Sequence, residues 1–300
     1  MANNSSGQSF FPAPACFYLA DPTFHKVSER YVMNLVTAII NIISAPFALV
    51  SNFLITIAIF KTSRLRTPLN LMIGCLALSD ALVGLAVQPG YISFRLLENQ
   101  HRSVPCFVRL IYSNVFYICF GVSFMTLSSV SYERFVAVRL QARYNDVFSS
   151  KRVLKYMAII WFLNVLLTSL QWTGISKISS GIHLLVWFFC LLVSSTANIG
   201  IILILRRRRR EVLSQQQSIA EQVRKRREDK LARSISFIVG VYLLFSVPVL
   251  FAMISVPTYN HFSWTETLAF LNSSTNPLIC FWKARQIRQA VKSMFHVNSW

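Results

Sequence analysis

A single acidic residue, Asp80, lies near the middle of the long apolar segment 67–94. A charged side chain within a membrane-spanning helix costs at least a few kcal/mol, so an acid at this position needs a physical reason. It is either a protonated, hydrogen-bonded packing residue or a cation site or proton-linked switch, and we favour the second interpretation. Polar side chains on other apolar segments could supply further oxygen ligands for a small hydrated cation. They are Asn52, Ser123, Asn272, Ser273 and Asn276.

A different chemistry is indicated by Glu133-Arg134-Phe135 at the end of the third apolar segment. A second acid, Glu228, precedes the sixth apolar segment, and Arg134 could bridge to it. Such a bridge would clamp two helices together, and its opening would provide the two-state element that a switch requires. The alternative is an interfacial anchor, because arginine side chains commonly extend to lipid headgroups.

Pro248 lies near the middle of the sixth apolar segment, and Pro277 lies in the seventh. Proline removes a backbone hydrogen bond and kinks a helix, and neighbouring polar groups in a membrane helix satisfy the freed carbonyl. We therefore predict a helix hinge at each of these prolines.

These side chains must be positioned by elements that the composition identifies as membrane-spanning. The chain has 300 residues, of which 54% are hydrophobic, and a soluble domain of this size cannot bury so much apolar surface. Seven apolar runs reach the length of about 18 residues that predicts a spanning helix. They are 31–60, 67–94, 110–132, 156–176, 178–205, 234–259 and 262–282. Within them, only Asp80 and Glu266 are charged.

The distribution of positive charge predicts the orientation of these helices. The formal net charge is +19, but Lys and Arg are confined to segments outside the apolar runs, which indicates membrane topology rather than nucleic-acid binding. Only six of the 30 lie in the tail 1–30 or in the even-numbered gaps between runs. Because basic residues favour the cytoplasmic side, we expect the tail 1–30 outside, the domain 31–282 in the membrane and the segment 283–300 inside.

The predicted external side carries two cysteines and two glycosylation sequons. Cys16 and Cys106 lie outside the apolar runs, on the oxidising side. They either form a disulfide with each other or stay unpaired, because spacing alone does not establish proximity. Asn3 and Asn4 begin overlapping sequons, which favours glycosylation of an external tail.

Six features, in their order along the chain, resemble those of a known receptor family. They are Asn52, the segment 76–80 that ends in Asp80, the triplet 133–135, Trp161, Pro248 and the segment 272–277, which reads Asn-Ser-Ser-Thr-Asn-Pro. Any one of these features is weakly specific, whereas six in register are strongly specific. Over residues 31–295, the chain resembles the rhodopsin-like, class A G-protein-coupled receptors.

The resemblance implies an all-α fold, a seven-transmembrane helix bundle with an extracellular N-terminus. It also implies a heterotrimeric G protein as partner at the cytoplasmic face, engaged by Arg134 once the bridge to Glu228 opens. Residues 283–295 resemble the family's short helix along the inner membrane surface, and their pattern of basic and apolar residues independently predicts an amphipathic helix. The resemblance further suggests a sodium site formed by Asp80, Ser123, Asn272 and Asn276.

Several departures from the family pattern concern the activation machinery. The segment 245–248 reads Phe-Ser-Val-Pro and lacks the tryptophan that the family usually carries before this proline. Cys280 stands in place of the tyrosine of the family's Asn-Pro-any-any-Tyr motif. The gap between the fourth and fifth runs is short and contains no cysteine, so the family's usual disulfide to the third helix cannot form. These changes affect how activation proceeds and leave the predicted fold unchanged.

The outer half of the predicted bundle offers aromatic side chains and one acid. Matched to the family, Phe116 occupies the aspartate position of amine receptors and Phe270 the lysine position of opsins, which disfavours typical amine binding and retinal attachment. Glu266 either pairs with a cationic ligand or begins its helix in water. The aromatic residues expected to line a site for an apolar or flat ligand are Phe116, Tyr117, Phe120, Phe251, Trp264 and Phe270.

We therefore predict a plasma-membrane receptor, embedded in bilayer lipid, that passes an extracellular small-molecule or peptide signal to a G protein. We expect no cofactor other than the sodium ion. The alternative is a transporter or channel, which would show inverted repeats and charge pairs at the midplane; we find no symmetry between the two halves of the chain. An intramembrane enzyme would need paired acids, a metal cluster or an activated nucleophile, and Asp80 has no second acid at its depth.

Overall fold

A computed structural model describes residues 16–17, 19, 27–140, 143–173, 175–212 and 259–296, together with separate positions between 237 and 251. Most of this described part is helical. The principal helices are α1 (Val27–Lys61), α2 (Pro68–Asn99), α3 (Cys106–Leu140), α4 (Ser150–Ser169), α5 (Ser176–Val212), α6 (Tyr259–Lys283) and α7 (Arg285–His296).

The helices follow the predicted apolar runs. Each of α1 to α5 is long and apolar enough to cross a membrane, and α6 contains the predicted seventh run. The predicted boundary between the fourth and fifth runs, at residue 177, is displaced: a 3₁₀ turn, Leu170–Thr173, lies within the fourth run, and α5 begins at Ser176 and contains Lys177. Eight separate positions of the predicted sixth run are described, and each of them is helical.

Local sequence sets the starts of α2 and α4. The Thr67 hydroxyl accepts a hydrogen bond from the backbone N–H of Asn70, and Pro68 follows in the first turn, where the missing N–H of proline is not needed. The Ser149 hydroxyl accepts from the backbone N–H of Arg152 in the same way. Both side chains satisfy an N–H that has no partner within its helix.

Helix α2 contains a π-helical turn, Val83–Val87, just beyond Asp80. Gly84 lies in this turn, and a Cβ atom there would approach the Ala45 carbonyl oxygen and the Leu49 backbone nitrogen of α1 to 2.8 Å. Only glycine permits such close packing of two helix backbones. Because a π turn contains an additional residue, it also changes the helical register of the side chains that follow Asp80.

Helix α3 is central in the described bundle. It packs on α2, α4 and α5, while α1 packs on α2 and α6. The faces that meet are apolar, and the largest fully buried side chains include Phe124, Met157 and Trp187. This arrangement brings polar residues of α1, α2, α3 and α6 towards one another inside the bundle.

Helix α7 is the predicted amphipathic helix, and its presence after the last span is confirmed. Ile287 and Val291 are buried, whereas Arg285 and Lys292 are exposed. The helix packs on α1 and α6 through its apolar face, and its basic face is left for water or headgroups.

Candidate functional site

Asp80 is buried inside the bundle, and both of its carboxylate oxygens accept hydrogen bonds from α6. Ser273 Oγ donates to Asp80 Oδ1 and Asn276 Nδ2 donates to Asp80 Oδ2, each over 2.8 Å. These bonds hold the carboxylate between α2 and α6. Of the predicted sodium ligands, Asn276 is therefore in direct contact with the acid.

The other two predicted sodium ligands have different surroundings. Ser123 Oγ lies 3.0 Å from Ser79 Oγ, so it bonds the neighbour of Asp80 in the sequence. Asn272 is buried, and its Oδ1 has no hydrogen-bond partner among the described residues. A buried amide oxygen without a donor is unusual, and it leaves one oxygen able to bind an additional group.

Asn52 joins α1 to the same region through a carbonyl that proline has freed. Pro277 lies inside α6, and because proline has no N–H, the carbonyl of Ser273 four residues earlier loses its helical donor. Asn52 Nδ2 donates to this Ser273 oxygen over 2.8 Å and to Ala48 O over 2.9 Å. The asparagine thus replaces the bond that Pro277 removes.

At the end of α2 nearest Asn99, four charged side chains and a tyrosine form a buried cluster. Arg95 Nη2 lies 2.8 Å from Glu266 Oε2, and Arg95 Nη1 lies 3.2 Å from Glu98 Oε2. Arg30 Nη2 is 3.2 Å from Glu98 Oε1, and the Tyr112 hydroxyl donates to Glu266 Oε1 over 2.7 Å. We call these five residues the outer cluster; it joins α1, α2, α3 and α6.

The outer cluster corrects the sequence-based view of Glu266. One alternative placed this acid in water at a helix start, but it is only 6% exposed. Arg95 was expected in an external gap, whereas α2 continues to Asn99 and buries it. The sequence signal was weak, because Arg95 directly follows the apolar run and the π turn changes the face on which it lies.

A chain of polar side chains connects the outer cluster with the Asp80 region along α2. Thr267 Oγ1 donates to the Tyr91 hydroxyl over 3.2 Å, and Asn41 Nδ2 lies 3.1 Å from Thr267 Oγ1. Gln88 Nε2 donates to Asn41 Oδ1 over 3.0 Å and to Ser44 Oγ over 2.8 Å. These five residues were not singled out from the sequence, because uncharged polar residues are common in membrane helices.

Four of the predicted aromatic residues form one packed cluster. Phe116 lies between Phe120 and Phe270, with ring centroids 5.1 and 6.2 Å away. Tyr117 packs on Trp187 of α5 with a centroid distance of 6.0 Å. Trp187 is fully buried and was missed, because the sequence does not show which residues of its apolar run face the bundle interior.

Phe251 and Trp264 do not belong to this cluster, which corrects the predicted lining. Phe251 is 71% exposed and Trp264 is 40% exposed. Trp264 lies two residues before the buried Glu266, and two residues correspond to about 200° around a helix with 3.6 residues per turn. The aromatic type alone therefore did not indicate the direction of these side chains.

Near the other end of α3, Glu133 binds two partners. Its carboxylate accepts hydrogen bonds from the guanidinium of Arg134 and from the hydroxyl of Tyr144. Tyr144 begins a short helix, Tyr144–Val147, after α3. Burial, together with the neighbouring Glu133, raises the pKa of Tyr144, so its hydroxyl stays protonated and donates at physiological pH. Tyr144 was not singled out from the sequence.

Of the other residues predicted to take part in the switch, the structure describes Phe135 and Pro248. Phe135 packs on α5, because a Cβ at Gly200 would lie 2.6 Å from its ring. Pro248 is helical. Glu228 lies outside the described residues, so its bridge to Arg134 stays a prediction.

The N-terminal tail is attached to the start of α3. Cys16 and Cys106 are joined by a disulfide, and the Phe17 ring lies 5.2 Å from that of Trp172. Of the two alternatives for these cysteines, the structure contains the paired one. Asn3 and Asn4 lie outside the described residues.

Comparison with known proteins supports one family. Residues 51–180 match the family described as 7 transmembrane receptor (rhodopsin family). The chain is 24% identical to sphingosine 1-phosphate receptor 3 of Takifugu rubripes, over 81% of this chain and 67% of that protein. It is 25% identical to melanocortin receptor 5 of Mus musculus, over 82% and 80% of the two chains. It is 27% identical to trace amine-associated receptor 7e of Rattus norvegicus, over 83% and 79%.

The chain is similar to the rhodopsin family of seven-transmembrane receptors over residues 51–180 and to these three receptors over most of its length. The predicted all-α, seven-transmembrane fold is thereby confirmed, and so is the resemblance to this class of receptor. The chain is a multi-pass membrane protein, and its three relatives are receptors rather than enzymes.

Proposed function

We propose that this receptor lies in the plasma membrane with its N-terminus outside and passes the binding of an extracellular ligand to a heterotrimeric G protein. The observation that carries the proposal is the buried contact of Arg134 with Glu133 at the end of α3. The guanidinium is nearly buried and is held by a neighbour in the sequence, so it can exchange that partner without unfolding the helix.

Exchange of partners is the physical basis of the proposed switch. Arg134 presents a planar set of donors that suits bidentate contacts, and Glu133 is further held by Tyr144. While these contacts persist, the arginine stays against its own helix. When the bundle rearranges, the same donors become available to a partner at the cytoplasmic face, which is a local electrostatic event with a global effect.

Basal nucleotide exchange tests this function without a known ligand. Purified receptor in lipid nanodiscs should accelerate GTP binding by at least one of a panel of purified heterotrimeric G proteins. Arg134→Ala should remove most of that acceleration, whereas Arg64→Ala should leave it in place, because Arg64 is an exposed arginine in the turn between α1 and α2. Equal acceleration by the Arg134→Ala variant would contradict the proposed role of Arg134.

A sodium ion beside Asp80 is the second part of the proposal. Asp80 provides a carboxylate, and Asn272 provides a buried Oδ1 that has no partner in the described part of the chain. Hard cations prefer such oxygen ligands, so the donor set fits the ion. Asn276 and Ser123 would complete the ligand set, and the ion would supply positive charge that favours the ionised form of Asp80.

Sodium dependence tests this site. For the wild-type receptor, sodium at physiological concentration should raise the melting temperature relative to potassium, because a ligand that binds the folded state stabilises it. Asp80→Asn removes the charge that attracts the cation, so the difference between sodium and potassium should disappear. The thermal shift of detergent-purified protein measures the effect, and an unchanged difference in Asp80→Asn would reject the site.

The outer cluster limits how a ligand can use Glu266. The names of the three relatives refer to different ligands, sphingosine 1-phosphate, melanocortin and trace amines, so we infer the mode of binding from this chain. Glu266 is already paired with Arg95 and Tyr112. A ligand with a cationic group would therefore have to replace Arg95 at Glu266, while its apolar part packs on Phe116 and Phe270.

A further inference from the structure

A groove runs along the bundle surface where α3, α4 and α5 meet. Its volume is about 740 Å³. It exists because α4 and α5 both pack on α3 but make little contact with each other, so their facing surfaces diverge. None of the residues that line the groove belongs to the polar networks described above.

The walls of the groove are apolar along most of its length. They include Met125 of α3, Val153 of α4 and Phe189 of α5. Between Leu185 and Val193 the groove extends for about 12 Å along α5, at 1.5 Å of rise per residue. Apolar walls of this length suit an acyl chain and would be unfavourable for water.

One end of the groove is positively charged. Arg152 lines it there, and its Nη1 donates to the carbonyl oxygens of Asp146 over 2.5 Å and Val147 over 3.3 Å. These bonds hold the guanidinium at the mouth of the groove, and Nε and Nη2 have no acceptor among the residues that the structure describes. Lys151 and Lys155 are exposed on the same turns of α4, so the mouth lies in a locally basic region.

We propose that this groove binds an anionic glycerophospholipid from the leaflet at the basic end of the bundle. One acyl chain lies between α4 and α5, and the headgroup phosphate accepts hydrogen bonds from Arg152. Arginine matches phosphate oxygens in geometry as well as in charge, and basic pockets between membrane helices bind anionic headgroups. The apolar walls thus fit the acyl chain of a phospholipid, and the charged mouth fits its headgroup. The proposal does not depend on G-protein coupling.

Native mass spectrometry of the full chain in detergent tests the charged mouth. The protein is offered equal amounts of phosphatidylserine and phosphatidylcholine with identical acyl chains. The wild type should retain phosphatidylserine in preference, and Arg152→Gln should reduce that preference about tenfold, as expected for the loss of a charge-assisted contact. Lys151→Gln removes the same charge one residue away but does not line the groove, so it should keep the preference.

Two further variants separate lipid binding from local structure. Arg152→Lys keeps the charge and should retain most of the preference even where the contacts to Asp146 and Val147 are weakened. Ser129→Phe fills the groove and should abolish retention, whereas Ile199→Phe, at an exposed position of α5 outside the groove, should not. Only variants whose melting temperature matches that of the wild type are compared, so that a loss of lipid retention does not reflect a loss of folding.

Four outcomes would overturn the proposal. The first is equal retention of the two lipids by the wild type. The second is an equal effect of Arg152→Gln and Lys151→Gln, which would show that only net charge matters. The third is retention of phosphatidylserine by Ser129→Phe. The fourth is displacement of the phospholipid by added cholesterol, which would assign the groove to a neutral sterol.

Discussion

Ionised side chains inside the bundle have partners at hydrogen-bond distance. Glu266 shows this most directly, because it is buried and contacts both Arg95 and Tyr112. An isolated charge in a medium of low dielectric constant would cost far more than the net stability of the fold. Removing one member of a buried ion pair therefore leaves the charge of the other without a partner.

The pair Arg95–Glu266 gives a prediction at the residue scale. Glu266→Gln leaves Arg95 buried with Glu98 as its one acidic partner among the described residues, and breaking a buried ion pair on one side destabilises a protein by about 3–5 kcal/mol. We expect a clearly lower melting temperature of the detergent-purified receptor. Asp146→Asn, at an exposed acid in the short helix Tyr144–Val147, is the control and should change stability by less than about 0.5 kcal/mol. Equal melting temperatures of Glu266→Gln and wild type would show that the pair contributes no stability.

At the scale of the helix, α6 depends on α1 to complete its backbone hydrogen bonds. Pro277 frees the carbonyl of Ser273, and Asn52 donates to it across the helix interface. The same segment of α6 carries Asn276, which donates to Asp80. The irregularity caused by proline is therefore also the place where α1 and α2 attach to α6.

This coupling predicts the outcome of a double-mutant cycle. Asn52→Ala should cost about 1–3 kcal/mol, because it leaves a buried carbonyl without a donor. In the Pro277→Ala background the new backbone N–H supplies that donor, so the same change should cost much less. Thermal unfolding of the four proteins measures the interaction energy. Additive effects would mean that Asn52 does not serve the freed carbonyl. Asn198→Ala is a suitable control, because its amide donates within its own helix to Ser194.

For the whole molecule, the polar contacts are arranged in sequence from one end of the bundle to the other. The outer cluster, the chain from Tyr91 to Ser44 and the Asp80 contacts follow α2, and the Glu133–Arg134 pair lies near the far end of α3. We expect coupling between distant sites in this protein to be carried by such packed and hydrogen-bonded contacts.

The distribution of positive charge predicts the membrane orientation of the whole molecule. An epitope tag at the N-terminus should be accessible to antibody on intact cells, and a tag at the C-terminus only after permeabilisation, because basic segments stay on the cytoplasmic side. A glycosidase should increase the electrophoretic mobility of the wild type and have no effect on a variant with both Asn3→Gln and Asn4→Gln. Exposure of both termini on the same side would contradict a bundle with seven spans.

Much of this protein follows from the sequence alone, because the relevant signals are local. The length of an apolar run and the amphipathic pattern of α7 depend only on neighbouring residues, and the cost of a charge in lipid identifies Asp80 without knowledge of its contacts. The resemblance of motifs in register indicated the receptor family, and the comparisons found the same resemblance.

Only the tertiary structure decided which side chains meet. Arg95 and Glu266 are 171 residues apart in the chain, and their contact depends on the rotation of two helices and on the π turn in α2. The same reason explains why Ser123 bonds Ser79, why Trp264 points outwards and why Tyr144 reaches Glu133. The direction of a side chain around a helix depends on the packing of the whole bundle, and no local pattern specifies it.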